Sequence, residues 1–460
     1  MPDAATPAAA RRGTPPAFGI LAAGVMLPGV AVGLSGRHVP APLGVVLFGA
    51  AIVGAAFLLA WAAEAAQVDI SAGLAVAVLA LIAVLPEYAV DFVFTWRGGT
   101  AVAQYGTDCR PPGEDTSACS LALANMTGAN RILVGVGWAL VVLIAWRRAR
   151  ARGTPAHEAR RVRLARPDSV PLAFLALASV YCLTLPFRRT LSLVDTAVLL
   201  GIFVAYSWRV SRAPAGEPDL IGPSAWVGSL PRRSRRITVV ALFVVAAGAI
   251  LATAEHFAGA LVETGAQLGI SEFLLVQWLA PLASEAPELL IAGLYAWRLH
   301  TGEALGTLVS SKVNQWTLLV GTLPIVFAAA GGGLSGLPIE PAQREELLLT
   351  AAQSLLAIAV LADLTLSVRG AVLLMVLFFT QFAVAALLPH ALRGKELLLL
   401  SAAYLALAAV VLMRNRAALA ALLRDGLFTP YRAMGDPVCG TVGGKLRLRD
   451  KLASRAGAAG

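Results

Sequence analysis

The chain has 460 residues, of which 58% are hydrophobic and only 14% charged, with a formal net charge of +10 and a mean hydropathy of +0.74. Apolar runs of about 20 residues, the length that crosses a bilayer core of roughly 30 Å, recur from end to end and exclude a soluble single-core domain. The positive charge does not point to nucleic acid, because the Arg residues fall in loops between apolar runs, where basic residues set membrane orientation.

Twelve membrane spans are predicted, at 17–36, 43–66, 70–96, 119–146, 169–186, 190–208, 237–258, 271–298, 303–329, 346–367, 370–388 and 396–413. The first apolar stretch follows a Pro/Ala-rich start without a convincing cleavage site, so it is expected to remain as a helix. The loop 146–167 carries eight Arg and the segment 209–236 six more, which places both in the cytoplasm. Propagating that orientation puts both termini inside and the loop 97–118 outside. There Cys109 and Cys119 are open as a disulfide or as two separate thiols, and the four cysteines match neither a disulfide scaffold nor a zinc site. The organisation expected is a tail at 1–16, a first membrane half at 17–208, a basic cytoplasmic loop at 209–236, a second half at 237–414, and a cytoplasmic tail at 415–460 that is peripheral or disordered. The location expected is the cell membrane.

The two halves repeat one pattern. "AAQVDIS" at 65–71 precedes Glu87 of "VLPEYAVDF" by almost the same distance that separates "GAQLGIS" at 265–271 from Glu288 of "EAPELLIAG". By the loop charges, the first of these spans runs outward and the second inward, so the repeats are inverted, an arrangement that places transport sites near the midplane in many secondary transporters. Proline inside a helix removes one backbone hydrogen bond and displaces the carbonyl four residues back, so Pro86 frees that of Ile82 and Pro287 that of Ala283. Freed carbonyls and carboxylates are the oxygen ligands that hard cations prefer. A carboxylate at the bilayer centre costs about 3 kcal/mol on insertion scales, so such a cluster requires a counter-cation or protons.

The two Pro-Glu segments, each followed by a helix of small residues and Asn, resemble the paired repeats of the cation/calcium antiporter superfamily, whose best-known members are sodium/calcium exchangers. The likeness covers about 65–145 and 260–327. It implies an all-α polytopic membrane protein of about twelve helices with two inverted repeats, and a secondary active antiporter that exchanges calcium for sodium or protons by alternating access, the peripheral helices moving over the Pro-Glu half. No cofactor and no obligate protein partner are implied beyond the bilayer and the transported cations.

Residue by residue, the family's glutamates fall on Glu87 and Glu288, the metal ligands implied, together with Glu285. The hydroxyl pair beside the first glutamate has become Ala83 and Val84, whereas its counterpart in the second repeat is Ser284 and Glu285. In "ALANMTGANRIL" the chain keeps Asn125 and Asn130, with Ala129 in place of a serine and Leu133 in place of the last Asn. In "LGTLVSSKVNQWTLLVG" it has Thr307 and Ser311, then Lys312 where Asn is usual and Gln315 where Asn or Asp is usual. Asp91, one turn after Glu87, either joins the site or faces water at the outer end of its span.

Lys312 is one of only four lysines, the others lying at 395 and in the tail. Inside a span, its ammonium reads either as a tethered cation that replaces a transported ion or releases a proton, or as a structural partner for Glu285 or Asp91. With Glu87, Asp91, Glu285 and Glu288 ionised and Lys312 protonated, three net negative charges would remain, which suits calcium; protonation of one or two acids would suit sodium.

Glu64, Glu255 and Glu263 are expected near span ends, and Asp363 inside the span 346–367, paired with an internal polar group. Trp96, Trp138, Trp146, Trp208, Trp278, Trp297 and Trp316 are expected mostly at the interfaces, with Trp316 alone placed to touch the site. A monovalent cation/proton exchanger on the same scaffold is the main alternative, followed by a non-transporting scaffold or sensor. An intramembrane enzyme lacks support, since neither an aspartate-rich diphosphate motif nor a G-x-G-D signature is present.

Overall fold

The computed structural model describes residues 17–69, 85–106, 109–110, 117–214, 220, 222–269, 271–387 and 393–434. In chain order its helices are α1 (Ala17–Ser35), α2 (Ala41–Ala66), α3 (Leu85–Tyr105), α4 (Ala118–Ala151), α5 (Ser169–Cys182), α6 (Leu193–Val210), α7 (Pro223–Gly228), α8 (Arg232–Leu268), α9 (Glu272–Arg298), α10 (Thr301–Gly332), α11 (Pro341–Leu361), α12 (Val368–Leu387), α13 (Arg393–Arg414) and α14 (Arg416–Leu427). Seven of the described helices are long and apolar enough to cross a membrane. Proline opens α2, α7 and α11, where its missing N–H has no intrahelical partner to lose. Gly269 ends α8 in the left-handed conformation, which glycine adopts without a side-chain penalty.

The chain forms two compact units, residues 1–93 with 207–287, and residues 94–206 with 288–460. Each draws on both halves of the sequence, and the boundary within α9 falls between Pro287 and Glu288.

In the first unit, α2 packs against α1 and α8. Gly54 permits the close approach of α1, because a Cβ there would meet the Ala22 carbonyl at 2.6 Å. Its core joins Met26, Leu58, Leu59 and Ile250. At one end, Asp69 accepts two hydrogen bonds from Arg235, at 2.7 and 2.9 Å, with Arg232 and Arg236 also close. These arginines belong to the first turns of α8, which starts before the predicted span at 237, so part of the basic segment 209–236 is helix. Ser224 of α7 donates to Glu64.

In the second unit, α11 packs against α5 and α13, and α12 against α4. Among the described residues, two small antiparallel ladders connect distant segments. β1 (Arg161–Arg163) pairs with β4 (Thr365–Ser367), and β2 (Thr190–Leu191) with β3 (Leu337–Pro338). The Arg-rich loop is therefore partly ordered: Val162 and Leu164 turn inward while Arg161 and Arg163 stay exposed. Cys109 and Cys119 form a disulfide.

Three expectations are corrected here. Asp363 lies beyond the end of α11, exposed in a turn where it accepts from the Thr365 N–H, because the helix stops at Leu361. Trp138 is fully buried in the middle of α4 and is not an interfacial anchor. The start of the tail 415–460 is not disordered: α14 packs against α5, and Asp425 accepts from Arg166 at 2.7 Å.

That ion pair gives a pH-dependent contribution. The Arg166 guanidinium holds the Asp425 carboxyl below the usual carboxylate range. A depressed folded pKa adds stability above the unfolded value of about 3.9 and loses it as pH falls through the folded value. Protection of the 416–427 amides from hydrogen exchange, taken relative to the intrinsic rate at each pH, is therefore expected to fall below about pH 4, and Arg166→Ala is expected to lower it slightly at neutral pH.

Candidate ion-exchange site

The described residues place the expected ligands on four helices. Glu87 and Asp91 lie one turn apart on α3 and are both buried, at 2% and 0% exposure, so Asp91 does not stand in water. Ser284, Glu285 and Glu288 lie on α9, which stays helical through both Pro281 and Pro287. The Ser284 hydroxyl bonds back to the carbonyls of Ala280 and Pro281, at 3.4 and 3.3 Å, so it serves the backbone around the first proline. Residues 70–84 lie outside the described set, and with them Ala83, Val84 and the carbonyl expected to be freed at Ile82.

In the first unit, Glu87, Asp91, Ser284 and Glu285 are all nearly or fully buried. In the second unit, Glu288 has the Ser311 hydroxyl against its carboxyl. Asn125, Asn130, Ser311, Lys312 and Gln315 are buried there on α4 and α10.

The two helices share a local construction. In α4 the helical ladder changes to a π-turn at Leu133–Trp138, three residues after Asn130; in α10 it changes at Gln315–Leu319, three residues after Lys312. Such turns concentrate at functional positions because they re-aim side chains and loosen regular hydrogen bonding. Lys312 thus occupies the position of Asn130, and the two residues meet. The Lys312 Nζ donates to the Asn130 backbone carbonyl at 2.7 Å and to its Oδ1 at 2.9 Å, while the Asn130 amide donates to the Met126 carbonyl at 3.0 Å. The ammonium holds one main-chain and one side-chain oxygen, the pair of neutral oxygens that a hard cation would take. The Trp316 ring lies 5.5 Å from Nζ and donates its own N–H to Ser354 at 2.8 Å.

Arg131, which directly follows Asn130, stands outside the expected site set. It is 2% exposed, and its guanidinium pairs with Glu346 at 2.6 Å and donates to Gln381 at 3.1 Å. Its signal was a charged residue within an apolar span, the same signal that singled out Lys312.

Buried carboxylates, amides and a lysine on long apolar helices define an all-α polytopic membrane protein with ionisable groups inside its spans, the usual mark of an ion pathway. The model of the sodium/calcium exchanger protein family matches residues 40–211 and 238–414, and the chain belongs to that family of cation antiporters. Among solved structures, the H+/Ca2+ exchanger CAX is 37% identical, with 88% of this chain and 96% of that one covered and a TM-score of 0.78. Native YfkE, at 15% identity, covers 85% of this chain and 99% of its own with a TM-score of 0.55, a likeness of fold alone. Comparison with curated proteins finds no match.

Proposed function

We propose that this antiporter exchanges calcium for protons across the cell membrane by alternating access. Glu87 and Glu288 bind the cation, Glu285 and Asp91 add charge or carry protons, and Asn125, Asn130, Ser284, Ser311 and Gln315 supply neutral oxygens. Lys312 holds the oxygens of Asn130 as a tethered cation and balances the charge. The observation that carries this reading is the Lys312 ammonium on both Asn130 oxygens, which places a tethered positive charge where the related pattern has a neutral amide. The 37% identity to an H+/Ca2+ exchanger supports protons as the counter-ion. The Arg-rich segments 146–167 and 209–236 support cytoplasmic loops and, with them, cytoplasmic termini.

The test is flux in proteoliposomes, with an internal calcium dye and a pH dye under imposed gradients. Calcium uptake driven by an outward proton gradient, and insensitive to sodium, is the expected result. Drive by sodium would replace the counter-ion. Sodium-driven proton movement without calcium flux would replace the cargo, making the protein a monovalent cation/proton exchanger. Silence under every gradient would leave a non-transporting member of the family.

A further inference from the structure

Helix α11 lies outside both Pro-Glu segments and the Asn/Lys helices, and no expected site residue falls on it. Yet Gln343, Glu346, Thr350, Gln353 and Ser354 are all buried, and their spacing sets them along one stripe of the helix. An apolar stripe would pack as well in a membrane protein without the desolvation cost, so these polar contacts call for a use beyond packing.

The stripe reaches both helices that carry the Asn130–Lys312 contact. Gln343 donates to Ser120 of α4 at 3.1 Å, Glu346 pairs with Arg131 at 2.6 Å, and Gln353 donates to the Arg131 carbonyl at 3.4 Å. Ser354 accepts from Trp316 of α10, the ring beside Lys312. Arg131 follows Asn130 by one residue, so holding the guanidinium fixes the rotation of the turn that presents the Asn130 oxygens. The π-turn starting at Leu133 leaves this segment without a regular helical ladder on its C-terminal side.

We propose that Glu346 is a positioning residue for exchange. Through Arg131 it holds Asn130 against Lys312, and it thereby sets the cation affinity and the pH dependence of transport. The inference rests on the exchanger reading above and adds a residue from outside the ion-binding helices.

Calcium-dependent proton flux is measured over a calcium series and a pH series in wild type, Glu346→Gln, Glu346→Asp and the double variant R131Q/E346Q. Glu346→Gln is expected to raise the half-saturating calcium concentration about 10- to 100-fold, the usual effect of removing a group that orients a ligand, with the maximal rate retained and the pH profile displaced. Glu346→Asp, which keeps the charge, is expected to recover part of the affinity. An unchanged half-saturation and pH profile in Glu346→Gln, with only the maximal rate lowered, would show a merely structural pair and overturn the proposal. If Glu346→Gln does not fold, the double variant decides, because it buries no unpaired charge: the same rise is expected, and wild-type affinity overturns the proposal. Hydrogen exchange across 124–134 separates this inference from the transport reading. With wild type silent in flux, faster exchange there in the Glu346 variants still supports the clamp, and unchanged exchange overturns it.

Discussion

Glu288→Gln is expected to abolish calcium/proton exchange while leaving the protein folded. Glutamine has nearly the shape of glutamate and keeps an oxygen for the Ser311 hydroxyl beside it. It carries no charge and takes up no proton at ordinary pH, so it removes both properties that exchange requires. The loss is expected to exceed the roughly 10- to 100-fold effect of disturbing a group behind a ligand, because the ligand itself is lost. Stability is expected to move the other way or not at all, since a charged carboxylate in the bilayer costs about 3 kcal/mol on insertion scales. Flux in proteoliposomes and thermal unfolding in detergent separate the two effects. Glu87→Gln is expected to do the same, and wild-type rates in both variants would end the proposal that these glutamates bind the cargo.

Lys312→Asn is the second large effect. The substitution takes a buried positive charge away from the Asn130 oxygens and restores the neutral residue usual at this position in the pattern. Calcium is expected to half-saturate at a concentration lower by tenfold or more, a difference of about 1.4 kcal/mol. The pH dependence of exchange is expected to change, because a buried charge beside the Asn130 oxygens has gone. The shorter side chain leaves the Asn130 carbonyl without its donor, so folding stability is expected to fall by about 1–3 kcal/mol. A variant with unaltered affinity, ion preference and pH profile would reduce Lys312 to a structural donor.

These expectations separate what could be read along the chain from what could not. The long helices were legible because an apolar run of membrane length has few other solutions: each backbone polar group in lipid must be satisfied within its own helix. Helix ends were less so. The span expected to start at 237 begins at Arg232, because arginines paired with Asp69 are stable in a helix that hydropathy alone would end sooner. The same blindness placed Asp363 inside a span and left the tail open between peripheral and disordered, although Asp425 is anchored by an arginine 259 residues away.

Candidate site residues were legible as types and not as partners. Pro-Glu twice, a lysine in a span and two asparagines at fixed spacing are visible in one dimension, because charged groups in apolar runs are costly and therefore conspicuous. Which groups Lys312 meets was open in the sequence, where Glu285 and Asp91 were the carboxylates at hand; the fold sets its ammonium on the Asn130 oxygens, a contact the sequence did not suggest. The pairing of Arg131 with Glu346 has no local trace either, since the two are 215 residues apart.

The sequence by itself determined that the protein spans a membrane, where most of its helices run, and which residues are too costly to sit in those helices without a purpose. Each of these follows from the free energy of single side chains and backbone groups in hydrocarbon, which depends on composition over one helix length. Only the tertiary structure decided that Asp91 is buried, that Lys312 meets Asn130 at matched positions before two π-turns, and that α11 reaches both of their helices with polar side chains. Hydrogen bonds and ion pairs act over about 3 Å, and which groups come that close is settled by how helices far apart in the chain pack against one another.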